Sequence, residues 1–367
     1  MSNVAYLKVE LLKNFISDVF MALKVPEKDA KIVTDVLITS DLRGITSHGV
    51  QRLKYYYDRL ISAQTLPVTN LGIIRETPTT AVIDGHLGMG HVIAHEAMTI
   101  AINKAKEYGM GGVAVRNSTH FGIAGYYSIM AVKEGCMGMT VTNARPAIAP
   151  TFSVEPMLGT NPIAIGFPSD DFPFILDFST AIAQRGKIEV YSREGKEIPE
   201  GWVISETGKP LNNAKEILQA LVDKTAALLA LGGTGERLGG HKGYGLATFV
   251  EIASAAFCQG DFLKMLAGFD REGNRVPYNL GHFFLAIDVE AFCPLEEFKK
   301  TTGDICRALR DSKLAPKQER IYTAGEKEYE STKKVLKEGV PVNQDLQRDL
   351  IFLRNELDLS YKFDFEK

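Results

Sequence analysis

Thr80-Ala81-Val82-Ile83-Asp84-Gly85-His86-Leu87-Gly88-Met89-Gly90 is the stretch whose reading decides the fold. Thr80 to Gly85 reads as a strand and turn, and His91 to Tyr108 follows as an amphipathic helix. A Rossmann dinucleotide site would carry Gly-x-Gly-x-x-Gly at such a junction. The glycines here are spaced differently, and no such fingerprint follows any strand of the chain. The reading is a mixed α/β domain without Rossmann support.

Strands and helices alternate onward from this stretch. Gly112 to Arg116, Met137 to Asn143, Pro162 to Phe167, Phe174 to Phe178 and Gly281 to Asp288 read as strands. Ile123 to Lys133 reads as a helix ended by Gly135. Asn213 to Gly245 is glycine-rich in its second half and reads there as a mobile loop, ahead of an apolar helix from Gly245 to Phe257.

Upstream the pattern is helical. Leu7 to Val25 carries Leu11, Leu12, Phe15, Ile16, Val19 and Phe20 at helical spacing, and Pro26 opens a second helix that Gly44 closes. A third helix, capped by Thr46 or Ser47, is expected to carry His48, Arg52 and Tyr56 on one face, because they stand four apart. From Leu295 the tail is charged and helical by pattern, and it is expected to fold back on these helices. The domains are drawn as 1–72 plus 290–367, helical, and 73–289, α/β.

The chain has 367 residues, enough for two domains, and its 45% hydrophobic and 24% charged content is that of an ordinary globular protein. A net charge of -3 gives no electrostatic reason to expect nucleic acid. Met1-Ser2-Asn3-Val4 starts no export signal, and no apolar run reaches membrane-spanning length. Cys136, Cys258, Cys293 and Cys306 form no Cys-x-x-Cys pair, so neither a zinc ribbon nor a disulfide framework is expected. Cys136 and Cys258 read as buried thiols in helical surroundings, and a reducing cytoplasm is the expected compartment.

Histidine titrates nearest neutral pH, and arginine matches a carboxylate with a planar fork of donors. His48 and Arg52 therefore fit proton transfer beside an acid group, against the plain alternative of a solvated helix face. The run from Gly232 to Gly243 is no P-loop, because glycine follows Lys242. It fits either a phosphate cradle with Lys242 as a point charge or a surface loop. His86, His91 and His95 resemble a metal set but complete no zincin motif, and no metal is expected.

Several segments in order resemble one family. They are Ser47-His48-Gly49 with Arg52; Asp84-Gly85 with Gly88 and Gly90; Asn117 to Tyr127 around His120; Leu158-Gly159-Thr160-Asn161-Pro162; Asp177-Phe178-Ser179-Thr180; His241-Lys242-Gly243-Tyr244-Gly245-Leu246; and Ala324-Gly325-Glu326. Their order over residues 5–345 is similar to the type-2 malate/L-lactate dehydrogenases. That resemblance implies a non-Rossmann α/β (α+β) fold, with a domain that holds NAD or NADP and a helical domain from both chain ends. It also implies hydride transfer to a small 2-oxo acid, malate/oxaloacetate first, in a homodimer.

By the same resemblance His48 or His120 handles the proton, Arg52 binds the substrate acid, and Asp177 orients a histidine or contacts the cofactor; Tyr56, on the same expected face, is placed with Arg52 at the substrate. Thr160, Asn161, Ser179, Thr180, His241, Lys242, Gly325 and Glu326 match cofactor contacts. Arg145 departs from the family pattern: it fits either a second substrate carboxylate or a surface pair with Glu155. Lactate, sulfolactate, ureidoglycolate, diketogulonate and cyclic imine stand as alternative substrates, and a non-catalytic nucleotide- or metal-binding protein is the alternative from another class. Neither the choice of nucleotide nor the physiological direction is legible in the residues.

Overall fold

The computed structural model describes residues 4–366; Met1 to Asn3, on which the expectation of no signal peptide falls, and Lys367 lie outside the described residues. The chain opens with β1 (Ala5–Leu7), α1 (Val9–Ala22), α2 (Glu27–Leu42) and α3 (Leu53–Ile61). In α1 the helical stripe Leu12, Phe15, Ile16, Val19 and Phe20 is fully buried, as its spacing requires. The expected helix started at Leu7, but that residue sits in a strand. It pairs with Val340 at the far end of the chain, a contact that local periodicity does not carry.

The central sheet starts with β2 (Gly72–Glu76), β3 (Thr80–Asp84), α4 (Gly90–Tyr108), β4 (Met110–Ser118), α5 (Ala124–Lys133), β5 (Cys136–Thr142), β6 (Ile163–Phe167) and β7 (Phe174–Phe178). The chain then leaves the sheet for α6 (Arg185–Arg193), β8 (Val203–Ser205), α7 (Ala214–Asp223), β9 (Ala226–Leu228) and α8 (Gly240–Ala255), and returns as β10 (Leu280–Asp288). The seven strands lie in the order β2-β3-β4-β10-β5-β6-β7. Only β3 and β4 run parallel, so this is no doubly wound sheet.

Alternate residues of β10 face opposite ways: Phe284 and Ala286 pack with Ala97 and Ala101 of α4, Phe283 with Val250 and Ala253 of α8. Buried His282 ties three strands together, bonded through Nδ1 to Thr142 and through Nε2 to Ser118, each at 2.7 Å. The expected mobile glycine loop is a packed turn, and α8 starts five residues earlier than the sequence pattern suggests. A Cβ on Gly240 would lie 2.0 Å from the Gly233 carbonyl oxygen, so the run closes on itself where only glycine fits.

The tail forms α9 (Leu295–Arg310), α10 (Glu326–Glu338), β11 (Val340–Val342) and α11 (Gln344–Glu356). α10 packs on α2 and α11 on α3. α9 instead lies against the β6–β7 connection, where Arg307 grips Asp170 with two bonds of 2.9 and 3.0 Å. Cys136 proves to be a strand residue rather than a helical one, and it and Cys258 are buried free thiols.

Candidate active site

His48, Arg52 and Tyr56 do not share one helix. His48 ends a 3-10 turn (Thr46–His48), Arg52 ends another (Val50–Arg52), and only Tyr56 lies within α3. The break falls at Gly49, where a Cβ would lie 2.0 Å from Oδ1 of buried Asp41. Asp41 Oδ2 accepts the Val50 N–H at 2.8 Å and pins the turn. Ser47 then orients both functional side chains, its hydroxyl on His48 Nδ1 at 2.8 Å and its carbonyl accepting Arg52 Nε–H at 2.7 Å.

Burial pushes the Asp41 carboxyl up to about 7, so below that pH the folded state holds a proton that the unfolded chain releases near pH ~3.9. Its contribution to stability is full below about pH 4 and lost as pH rises through about 7. Asp41→Asn, which still offers Val50 an acceptor, is expected to weaken this dependence. The check is urea unfolding at about pH 5 and about pH 8, where an unchanged difference in midpoints would contradict the assignment.

His120 follows close on the end of β4. Thr119 accepts the Gly90 N–H and donates to the Gly88 carbonyl, both at 2.9 Å, which locks the end of β4 to the start of α4. The His120 ring stacks on His48 at 5.6 Å with 23° between planes. Its Nδ1 meets Tyr56 Oη at 2.6 Å and the Gly122 N–H at 3.4 Å. Tyr56 and Gly122 thus occupy Nδ1 and leave Nε2 as the nitrogen free to meet a substrate. Burial holds His48 down to about 4, with Arg52 adding to it, and His120 well below the usual histidine range, with His48 next in weight. With both held low, neither ring of the stacked pair carries a charge near neutrality in the free protein.

Asp177 accepts the Gly125 N–H at 2.9 Å, in the first turn of α5, while Ser47 and Tyr56 are the groups bonded to the imidazoles. Burial pushes its carboxyl up to about 6. Ser179 and Thr180 hydroxyls donate to the Thr160 carbonyl at 2.9 and 3.1 Å, which joins those two segments. Leu231 N–H donates to the Thr180 carbonyl at 2.9 Å, and Leu231 backs Gly243, so the first turn of α8 with His241 and Lys242 sits beside them. Gly325 and Glu326 lie farther along β7, where the Ala324 carbonyl accepts the Ile175 N–H at 3.2 Å. Glu326 is buried and ion-paired with Arg320.

Arg145 is not paired with Glu155, which bonds Lys264. Its guanidinium faces Phe269 and Tyr278, and Tyr278 Oη meets Tyr55 Oη at 2.9 Å beside His120. Sequence reading missed Asp41, Tyr55 and Tyr278, and only Asp41, buried within a helical stripe, offered a signal. His91 is buried against Tyr56 at 4.7 Å, whereas exposed His86 meets Asn70, and among the described residues no metal-capable trio converges.

Two stacked imidazoles stand beside a guanidinium whose terminal nitrogens carry no ion pair among the described residues, an arrangement able to move a proton next to a bound carboxylate. The comparisons give the family. The malate/L-lactate dehydrogenase family model matches residues 7–351, and the chain belongs to that family. Malate dehydrogenase of Pyrococcus horikoshii is 45% identical over 94% of each chain. L-sulfolactate dehydrogenase of Methanocaldococcus jannaschii is 39% identical over 96% of this chain and 98% of that one. The solved malate dehydrogenase of Entamoeba histolytica superposes with a TM-score of 0.95 at 44% identity, covering 98% of this chain and all of that one.

Proposed function

We propose that the chain interconverts oxaloacetate and malate with a nicotinamide nucleotide. The carrying observation is the pairing, through Ser47, of a histidine with an arginine whose two terminal nitrogens carry no ion pair among the described residues. The residues present fit the nucleotide: the first N–H groups of α8 have no partner inside the helix, and exposed Lys242 stands beside them, a combination suited to phosphate. Buried Asn161 Oδ1, next to Thr160, lacks a donor and so has capacity to spare. When bound, the nicotinamide supplies or accepts the hydride.

His120 handles the proton at the substrate oxygen, and Tyr56 is its positioning residue. When the Tyr56 oxygen accepts Nδ1–H, the lone pair of the neutral ring lies on Nε2, and the phenol does this without itself ionising, because burial holds it well above its usual range. Arg52 holds the carboxylate beside the reacting carbon. A cytoplasmic homodimer belongs to the same proposal. Buried thiols suit a reducing compartment, and Leu246, Phe249 and Ile252 leave an apolar strip of α8 exposed.

A panel of oxaloacetate, pyruvate and sulfopyruvate with NADH and with NADPH tests the substrate. The highest kcat/KM is expected for oxaloacetate. A preference for sulfopyruvate would move the reading to sulfolactate.

A further inference from the structure

A cavity of about 1110 Å³ opens beside α3; the bonded pair Tyr55 and Tyr278 lines it, whereas His120, which meets the Tyr55 ring, does not. Arg59, Arg145, Arg185, Lys224, Arg271 and Arg275 line it, against two carboxylates, Asp58 and Asp270. Those carboxylates are engaged locally: Asp58 by Lys54 at 2.6 Å, Asp270 by the Asn274 N–H at 2.7 Å. Arg185 pairs with Glu189 at 3.2 Å. Among the described residues the other five cations have no carboxylate partner.

Arg59 is the decisive group. It is 5% exposed, yet its guanidinium is held only by neutral groups: Gln64 Oε1 and the Gln64 carbonyl, both at 3.1 Å, and Thr65 Oγ1 at 3.3 Å. The Tyr278 ring lies 4.5 Å beneath it. A buried cation without a counter-ion costs free energy unless its charge serves something else. Arg145 and Lys224 are likewise fixed on aromatic faces, at 5.6 and 5.2 Å from the Phe269 ring. One carboxylate would leave most of this charge uncompensated.

We propose that this cavity is a binding site for a small polyanion of the pyrophosphate type, separate from the proton-transfer pair. It shares one wall with the active site, since Tyr278 bonds Tyr55 and the Tyr55 ring meets His120 edge-on at 5.9 Å. The site does not depend on which 2-oxo acid the enzyme reduces.

Calorimetric titration of the full chain with inorganic pyrophosphate tests it, with and without saturating NADH. Saturable binding that persists in NADH is expected. Lys224→Gln combined with Arg275→Gln, both exposed and away from the imidazoles, should weaken it about tenfold or more. Lys300→Gln, on the outer face of α9, should leave it unchanged. Absent binding, or equal weakening by Lys300→Gln, would overturn the site. Displacement by NADH would make the cavity part of the nucleotide site and overturn its separateness.

Discussion

His120→Gln is expected to lower kcat for oxaloacetate reduction by about 10²- to 10⁴-fold while nucleotide binding stays as in the wild type. Reduction of a carbonyl leaves an alkoxide that must be protonated, and His120 Nε2 is the nitrogen left free by Tyr56 and Gly122. Burial holds the ring neutral in the empty site. The neutral ring is ready as a base for alcohol oxidation, whereas reduction needs the charged ring, which a bound carboxylate favours. Reduction kcat/KM should therefore fall as pH rises through neutrality, while oxidation stays flat. His48→Gln removes the second-largest influence on His120, so it should cost less and shift the falling limb to higher pH. Rates from both variants over a pH series decide the matter. A larger loss from His48→Gln would exchange the roles, and small losses from both would remove the pair from the chemistry.

Arg52→Gln is expected to lower kcat/KM for oxaloacetate by about 30-fold or more, at ~2–5 kcal/mol for a charged hydrogen-bonded partner. Its Nε is committed to the Ser47 carbonyl, so the outer edge of the fork stays aimed by the same residue that bonds His48. Arg52→Lys should recover little, because a point charge does not reproduce two parallel bonds. Steady-state kinetics with oxaloacetate measures this. A change below about twofold would make Arg52 an exposed surface residue of small effect.

Local patterns carried much of the architecture. The Thr80–Gly90 stretch gave β3 and the turn into α4, and the α1 stripe gave its buried face, because periodicity of 2 and 3.6 is written residue by residue. Pairings between distant segments were not legible. Nothing near Leu280 says that β10 inserts between β4 and β5, or that Ala5–Leu7 pairs with Val340–Val342. In the site, the structure brings His48, Tyr56 and His120 together, but the helix expected to carry the first two is broken. Its break depends on Asp41 filling the space above Gly49, a packing fact with no sequence motif. Tyr278 joins Tyr55 across 223 residues for the same reason.

The most direct test is oxidation of NADH, and separately of NADPH, by the purified protein with oxaloacetate. Turnover that saturates in oxaloacetate with at least one nucleotide is the result predicted here. Absence of turnover together with absence of binding of either nucleotide would contradict the proposed reaction.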